Sequence, residues 1–175
     1  LIDNEPFAVL LPDDVIKAKY GALAQMIQAH RGIGGHMVAT MDVPRVDTSK
    51  YGVLDIDHQD GRISHVQGLV EKPRADIAPS TKAVVGRYIL DSAIFDRLNN
   101  LGPGAGGELQ LTDAINADVA SVGVTGYCFE GERFDCGSVQ GFVQATVAFA
   151  LDRADLRDDF ATFMDERRKP LRVVA

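Results

Sequence analysis

The chain is short of the residues that build disulfide frameworks, zinc clusters and membrane spans. Its 175 residues include no tryptophan and only two cysteines, Cys128 and Cys136. Two cysteines make neither a disulfide scaffold nor a four-cysteine metal site, so both are read as reduced thiols. The longest apolar runs, such as FAVLL at residues 7–11, fall far below the ~20 residues of a membrane helix. No basic-then-apolar segment opens the sequence, and the expected location is the cytoplasm. Positive charge is also scarce, with a formal net charge of -7. A general nucleic-acid binder needs a basic surface to displace counterions, so that class is excluded. A nucleotide is not excluded, because a bound metal or a few local cations can hold phosphates. His30, His36, His58 and His65 show no metal-ligand spacing and are read as surface or structural residues.

What is present is an alternation of strand and helix patterns. FAVLL reads as a strand buried on both faces. Leu23, Met26, Ile27 and His30 recur at helical spacing and predict a helix over 22–31. HMVATMDV is the next strand. Residues 51–72 read as a hairpin turning at Asp60-Gly61. AVVGRYIL is a strand with Gly86 at its centre. DSAIFDRLNN is a helix capped by Asp91 or Ser92, and LTDAINADVA one capped by Thr112. GVTGYCFEG is a strand. Val139, Phe142, Val143, Thr146, Phe149 and Ala150 mark an amphipathic helix, and Leu156, Phe160, Phe163 and Met164 a final one. The expected class is α/β: one domain over 1–175, a mixed, mainly parallel sheet flanked by helices, and C-terminal helices from about 138 to 168. The chain begins at Leu1 and enters a buried-looking strand almost at once. That is read as a piece of a longer protein.

Five stretches carry possible chemistry. In LLPDD, Asp13 and Asp14 come after an apolar strand, at the strand end where open α/β sheets bind ligands. Their hard oxygens suit magnesium; equally, either could be a helix N-cap. In VEKP, Glu71 can accept from sugar hydroxyls and Lys72 can meet a phosphate. Neighbours on a strand face opposite ways, so both serve one ligand only where the strand ends or bends. A solvated surface pair is the alternative. Gly86 in VVGRY marks either close approach by a ligand or a bulge. GPGAGG lacks the lysine of a phosphate-binding loop, yet Glu108 and the helix start at Thr112-Asp113 could face a site. In RFDCGS, Asp135 could share a metal with Asp13 or cap the next helix.

Taken in order, LLPDD, YGV, VEKP, APS, AVVGRYIL, GAGGELQLTDAI and FDCG resemble the sugar-1-phosphate nucleotidyltransferases, from Pro6 to about Phe160. GAGGELQLTDAI points to the branch that joins UTP to glucose 1-phosphate, giving UDP-glucose and pyrophosphate. The resemblance implies a Rossmann-like fold and Mg2+ as cofactor. It implies Asp13 and Asp135 as metal ligands, with Glu71 on the glucose hydroxyls and Lys72 on phosphate. Gly52 and Gly86 would lie against the sugar, and the catalytic roles would fall to Lys72 and Asp13; Glu108 is a substrate-binding candidate on its place after the glycine loop alone. It also implies a homodimer or homotetramer. The family's G-x-G-T-R triphosphate loop does not occur in these residues. The nucleotide-binding half is therefore expected to lie outside them, and the chain alone is expected to be inactive. Thymidylyl transfer, or a non-catalytic oligomerisation or regulatory role, are the alternatives.

Overall fold

The computed structural model describes residues 2–102 and 107–168. Among them, the strands are β1 (Phe7–Leu10), β2 (Asp14–Lys17), β3 (His36–Asp42), β4 (Gly52–Asp60), β5 (Ile63–Glu71), β6 (Lys82–Leu90), β7 (Val124–Cys128) and β8 (Glu132–Asp135). The α-helices are α1 (Ala22–His30), α2 (Ile94–Asn100), α3 (Leu111–Ala117), α4 (Val139–Asp152) and α5 (Arg157–Arg168). Six strands form one sheet in the order β1-β6-β3-β7-β5-β4, and β2 pairs with β8 as a separate ribbon.

The sheet is mixed, as expected, but it is not mainly parallel. Among the described strands only β3 and β7 run parallel; the other sheet pairings are antiparallel. Part of the reason is local. The β4–β5 hairpin turns at Gly61, whose φ of 56° suits the tight turn, and it then joins the sheet through antiparallel contacts on both sides.

Alternate side chains of β3 and β6 divide between two cores. Val38, Val84 and Leu90 join Leu54, Leu69, Ile94 and Ile115 on the side of α2 and α3. Met37, Ala39, Val85 and Ile89 join Ala22 and Met26 of α1 on the other. Each fully buried large side chain contributes about 1.5–3 kcal/mol, so the paired cores anchor β3 and β6 as the floor of the molecule.

Three sequence expectations change. Among the described residues β1 is an edge strand paired only to β6, and its residues alternate between half-buried and exposed. α1 buries Ala22, Gln25 and Met26, while Ile27 is exposed. Gln25 tolerates burial because its amide donates to the Tyr20 and Glu130 carbonyls and its carbonyl accepts from Glu130 N–H. α4 buries Gly141 and Ala145, and turns Val139, Phe142 and Val143 outward. Gly141 packs directly on the Asp135 backbone, an approach that a larger residue would block.

Candidate active site

The β2–β8 ribbon brings the two ends of the chain's chemistry together. Asp14 stands opposite Asp135, and the Cys136 N–H donates to the Asp13 carbonyl at 2.7 Å. A side-chain carbon placed on Gly137 would lie 3.3 Å from Asp13 Oδ2 and 3.2 Å from Asp135 Oδ1. The two carboxylates thus converge on one small region, which glycine leaves open. Asp135 does not cap α4; Ser138 does, accepting from Gly141 N–H at 3.0 Å.

The adjacent aspartates have opposite environments. Asp13 is exposed, whereas Asp14 is 6% exposed. Asp14 Oδ2 accepts from the Gly86 N–H at 2.6 Å, and Oδ1 accepts from the Arg133 guanidinium. A side-chain carbon on Gly86 would stand 2.6 Å from Leu11 Cβ and 2.7 Å from Asp14 Oδ2. Glycine is needed here because protein side chains fill that space. Burial pulls the Arg133 pKa down, but the Asp14 carboxylate outweighs it and holds the guanidinium charged.

Glu71 and Lys72 end β5. Lys72 has a left-handed backbone with φ 45°, and its N–H donates to the Tyr51 carbonyl at 3.0 Å. The Lys72 ammonium lies 3.7 Å from Glu71 Oε1. Thr112 donates its hydroxyl to Glu71 Oε2 at 2.7 Å, so it does not cap α3, which carries no side-chain cap. Gly52 makes room for that bond: a side-chain carbon there would lie 3.1 Å from Thr112 Oγ1 and 3.2 Å from Glu71 Oε2.

The acidic groups, Lys72 and the glycines at 52 and 86 line one cleft of about 500 Å³. Asp13, Gly52, Glu71, Lys72, Gly86 and Asp135 share it with Tyr51, Tyr88, Thr112 and Arg133. Glu108 is exposed and stands outside the lining; of the glycine loop before it, residues 103–106 lie outside the described residues. Burial, then the Asp14 and Glu71 carboxylates, push the Tyr88 phenol up to about 12. It therefore remains a neutral hydroxyl at physiological pH.

No group of three or more histidine, cysteine or acidic side chains able to hold a metal occurs among the described residues. The pair Asp13 and Asp135 is a smaller, all-oxygen donor set with open sides. That fits Mg2+, which keeps several waters and is commonly held by one or two carboxylates plus substrate phosphates.

The family model for nucleotidyl transferases matches residues 1–151. The chain belongs to the nucleotidyl transferase family. It is 47% identical over 137 residues to the UTP–glucose-1-phosphate uridylyltransferase of Komagataeibacter xylinus, covering 78% of this chain and 48% of that protein. A UDP-glucose pyrophosphorylase solved in complex with UDP-glucose superposes with a TM-score of 0.82 at 38% identity, over 87% of this chain and 58% of that one. The UTP-bound enzyme of Acinetobacter baumannii gives 0.83 at 33%, over 93% and 57%. This nucleotidyl transferase chain spans about half the length of the relatives it matches.

Sequence reasoning missed Arg133, Tyr51, Tyr88 and the role of Asp14. One signal was available for Arg133. It lies two residues before Asp135, so a strand through both points them to one face.

Proposed function

We propose that this chain supplies the sugar and metal side of a uridylyl-transfer site, which joins UTP and glucose 1-phosphate into UDP-glucose with release of pyrophosphate. The observation that carries the reading is the single cleft shared by Glu71, Lys72, Asp13 and Asp135. In this reading the Glu71 carboxylate, oriented by Thr112, accepts from glucose hydroxyls. The Lys72 ammonium meets the sugar phosphate, whose oxygen attacks the α-phosphorus of UTP. Asp13 and Asp135 would hold Mg2+, which neutralises phosphate charge when bound. Such phosphoryl chemistry rests mainly on alignment and charge neutralisation, and these residues are suited to both. Glu108 lies outside the cleft, so we assign it no role.

The relatives' identity favours uridylyl over thymidylyl transfer. The G-x-G-T-R loop is absent from these residues, so the chain alone is expected to bind without turnover. Assembly as a homodimer or homotetramer is part of the proposal, supported by the exposed Phe142 and Val143 of α4. A cytoplasmic location is part of the same proposal. Calorimetric titration with UDP-glucose and Mg2+ tests the reading. Micromolar binding, lost on Lys72→Ala and Glu71→Gln, is expected; no binding would refute it.

A further inference from the structure

The β2–β8 pairing creates an electrostatic problem that Arg133 resolves. Asp14 and Asp135 are directly opposite, and like charges in that relation destabilise a strand pair. Arg133 projects from the same face as Asp135, two residues earlier on β8. Its guanidinium bonds Asp14 Oδ1, lies 3.9 Å from Asp135 Oδ2, and donates to the Tyr51 hydroxyl at 3.2 Å. It also sits 5.4 Å from the centroid of the Tyr51 ring. The side chain is only 14% exposed, so solvent does not stand in for any partner.

The partners lie on two walls of the cleft, Asp14 and Asp135 on the β2–β8 ribbon and Tyr51 beside Gly52. Asp14 holds the Gly86 N–H. Tyr51 precedes Gly52, and its carbonyl fixes the Lys72 turn. Asp135 faces the region beside Gly137 where the carboxylates converge. A planar guanidinium can address three directions at once, which a lysine ammonium on a flexible stem does not reproduce. We propose that Arg133 is a positioning residue that couples the sugar wall to the metal carboxylates, so that magnesium and sugar nucleotide each tighten the other's binding. The identity of the ligand rests on the uridylyl-transfer reading; the coupling of the walls does not.

The test uses the whole chain and its Arg133→Met, Arg133→Lys and Tyr51→Phe variants. One arm titrates UDP-glucose calorimetrically with Mg2+ and with EDTA. The other tracks amide hydrogen exchange at Gly86 and Lys72 without ligand. Arg133→Met is expected to lose about tenfold in affinity with Mg2+ and most of the difference between Mg2+ and EDTA. Its Gly86 and Lys72 amides should exchange about tenfold faster while Met37 and Val38 stay protected. Arg133→Lys, with the charge but not the fork, should remain nearer to Met than to wild type. Tyr51→Phe should affect Lys72 and spare Gly86. Unchanged exchange at Gly86 and Lys72 overturns the proposal, as does an equal loss of affinity with and without magnesium. If Arg133→Met does not fold, the other two variants decide by the same readouts. A wild-type chain that binds no UDP-glucose overturns the ligand assignment, and the exchange arm still decides the role of Arg133.

Discussion

Lys72 comes directly after Glu71, yet its ammonium lies 3.7 Å from the Glu71 carboxylate because its backbone turns left-handed at φ 45°. A regular strand would send the two side chains to opposite faces. A non-glycine residue in this region stores about 1–3 kcal/mol of strain, and the adjoining Pro73 restricts it further. The Tyr51 carbonyl, accepting from the Lys72 N–H at 3.0 Å, holds the turn in place.

Lys72→Gly is therefore expected to raise stability by about 1 kcal/mol, after the entropy cost of glycine is set against the strain relieved. The same change removes the ammonium and should weaken glucose 1-phosphate binding by about tenfold. Lys72→Ala should lose the binding without the gain. Lys82 makes a poor charge-matched control, because it opens β6 and pairs with Asp42 at 2.6 Å. Exposed Lys19 is the better one. Urea unfolding and calorimetry read the two effects; a less stable glycine variant would show that the turn is unstrained.

Asp13→Asn and Asp135→Asn should each weaken Mn2+ binding, measured by electron paramagnetic resonance, by about tenfold or more. Exposed Asp76, paired with Arg74, is the control, and Asp76→Asn should leave it unchanged. Equal affinities across all three variants would remove the carboxylate pair from consideration as a cation site.

At Gly86 an added methyl would meet Leu11 Cβ at 2.6 Å and Asp14 Oδ2 at 2.7 Å. Gly86→Ala should then cost about 1–3 kcal/mol through overpacking, and should also displace the carboxylate that accepts the Gly86 N–H. Wild-type stability together with wild-type UDP-glucose affinity would contradict this geometry.

Much of this arrangement was legible in local pattern. The β-rich runs on either side of the Asp60-Gly61 turn located β4 and β5, and AVVGRYIL located β6. The β2–β8 ribbon was not legible, because Asp14 and Asp135 pair across most of the chain and nothing local to either stretch requires a partner. Without the ribbon, Asp14 read as a duplicate of Asp13, although one is buried and hydrogen-bonded and the other exposed. Thr112 carried the signature of a helix cap but was drawn to Glu71, a tertiary bond that overrides local preference. The apolar stripe of α4 was identified, but its direction was not, because close packing on Asp135 selects Gly141 and Ala145 for the buried side.

The buried pair His36 and Asp118 gives a pH prediction remote from the cleft. His36 Nδ1 accepts from the Asp91 N–H at 3.0 Å, so Nε2 carries the proton, directed at Asp118 Oδ2 3.1 Å away. Arg97 Nε and the Ser121 hydroxyl donate to Asp118 Oδ1 at 2.5 and 3.0 Å. Burial pushes the Asp118 pKa up, but the hydrogen bonds from Arg97, His36 and Ser121 outweigh it and hold the carboxyl below its ordinary 3.8. A depressed folded-state pKa contributes stability that is complete above the unfolded value and disappears as pH falls through the folded one. Wild-type stability should therefore drop as pH falls below about 4. Asp118→Asn should lose about 1–3 kcal/mol near neutrality, because a buried amide replaces the carboxylate that accepts from His36, Arg97 and Ser121, while solvent screens the half-exposed Arg97. It should also show a smaller further loss between about pH 6 and pH 3. Urea unfolding at the two pH values measures both, and an asparagine variant with the full wild-type acid dependence would assign that dependence to other carboxylates.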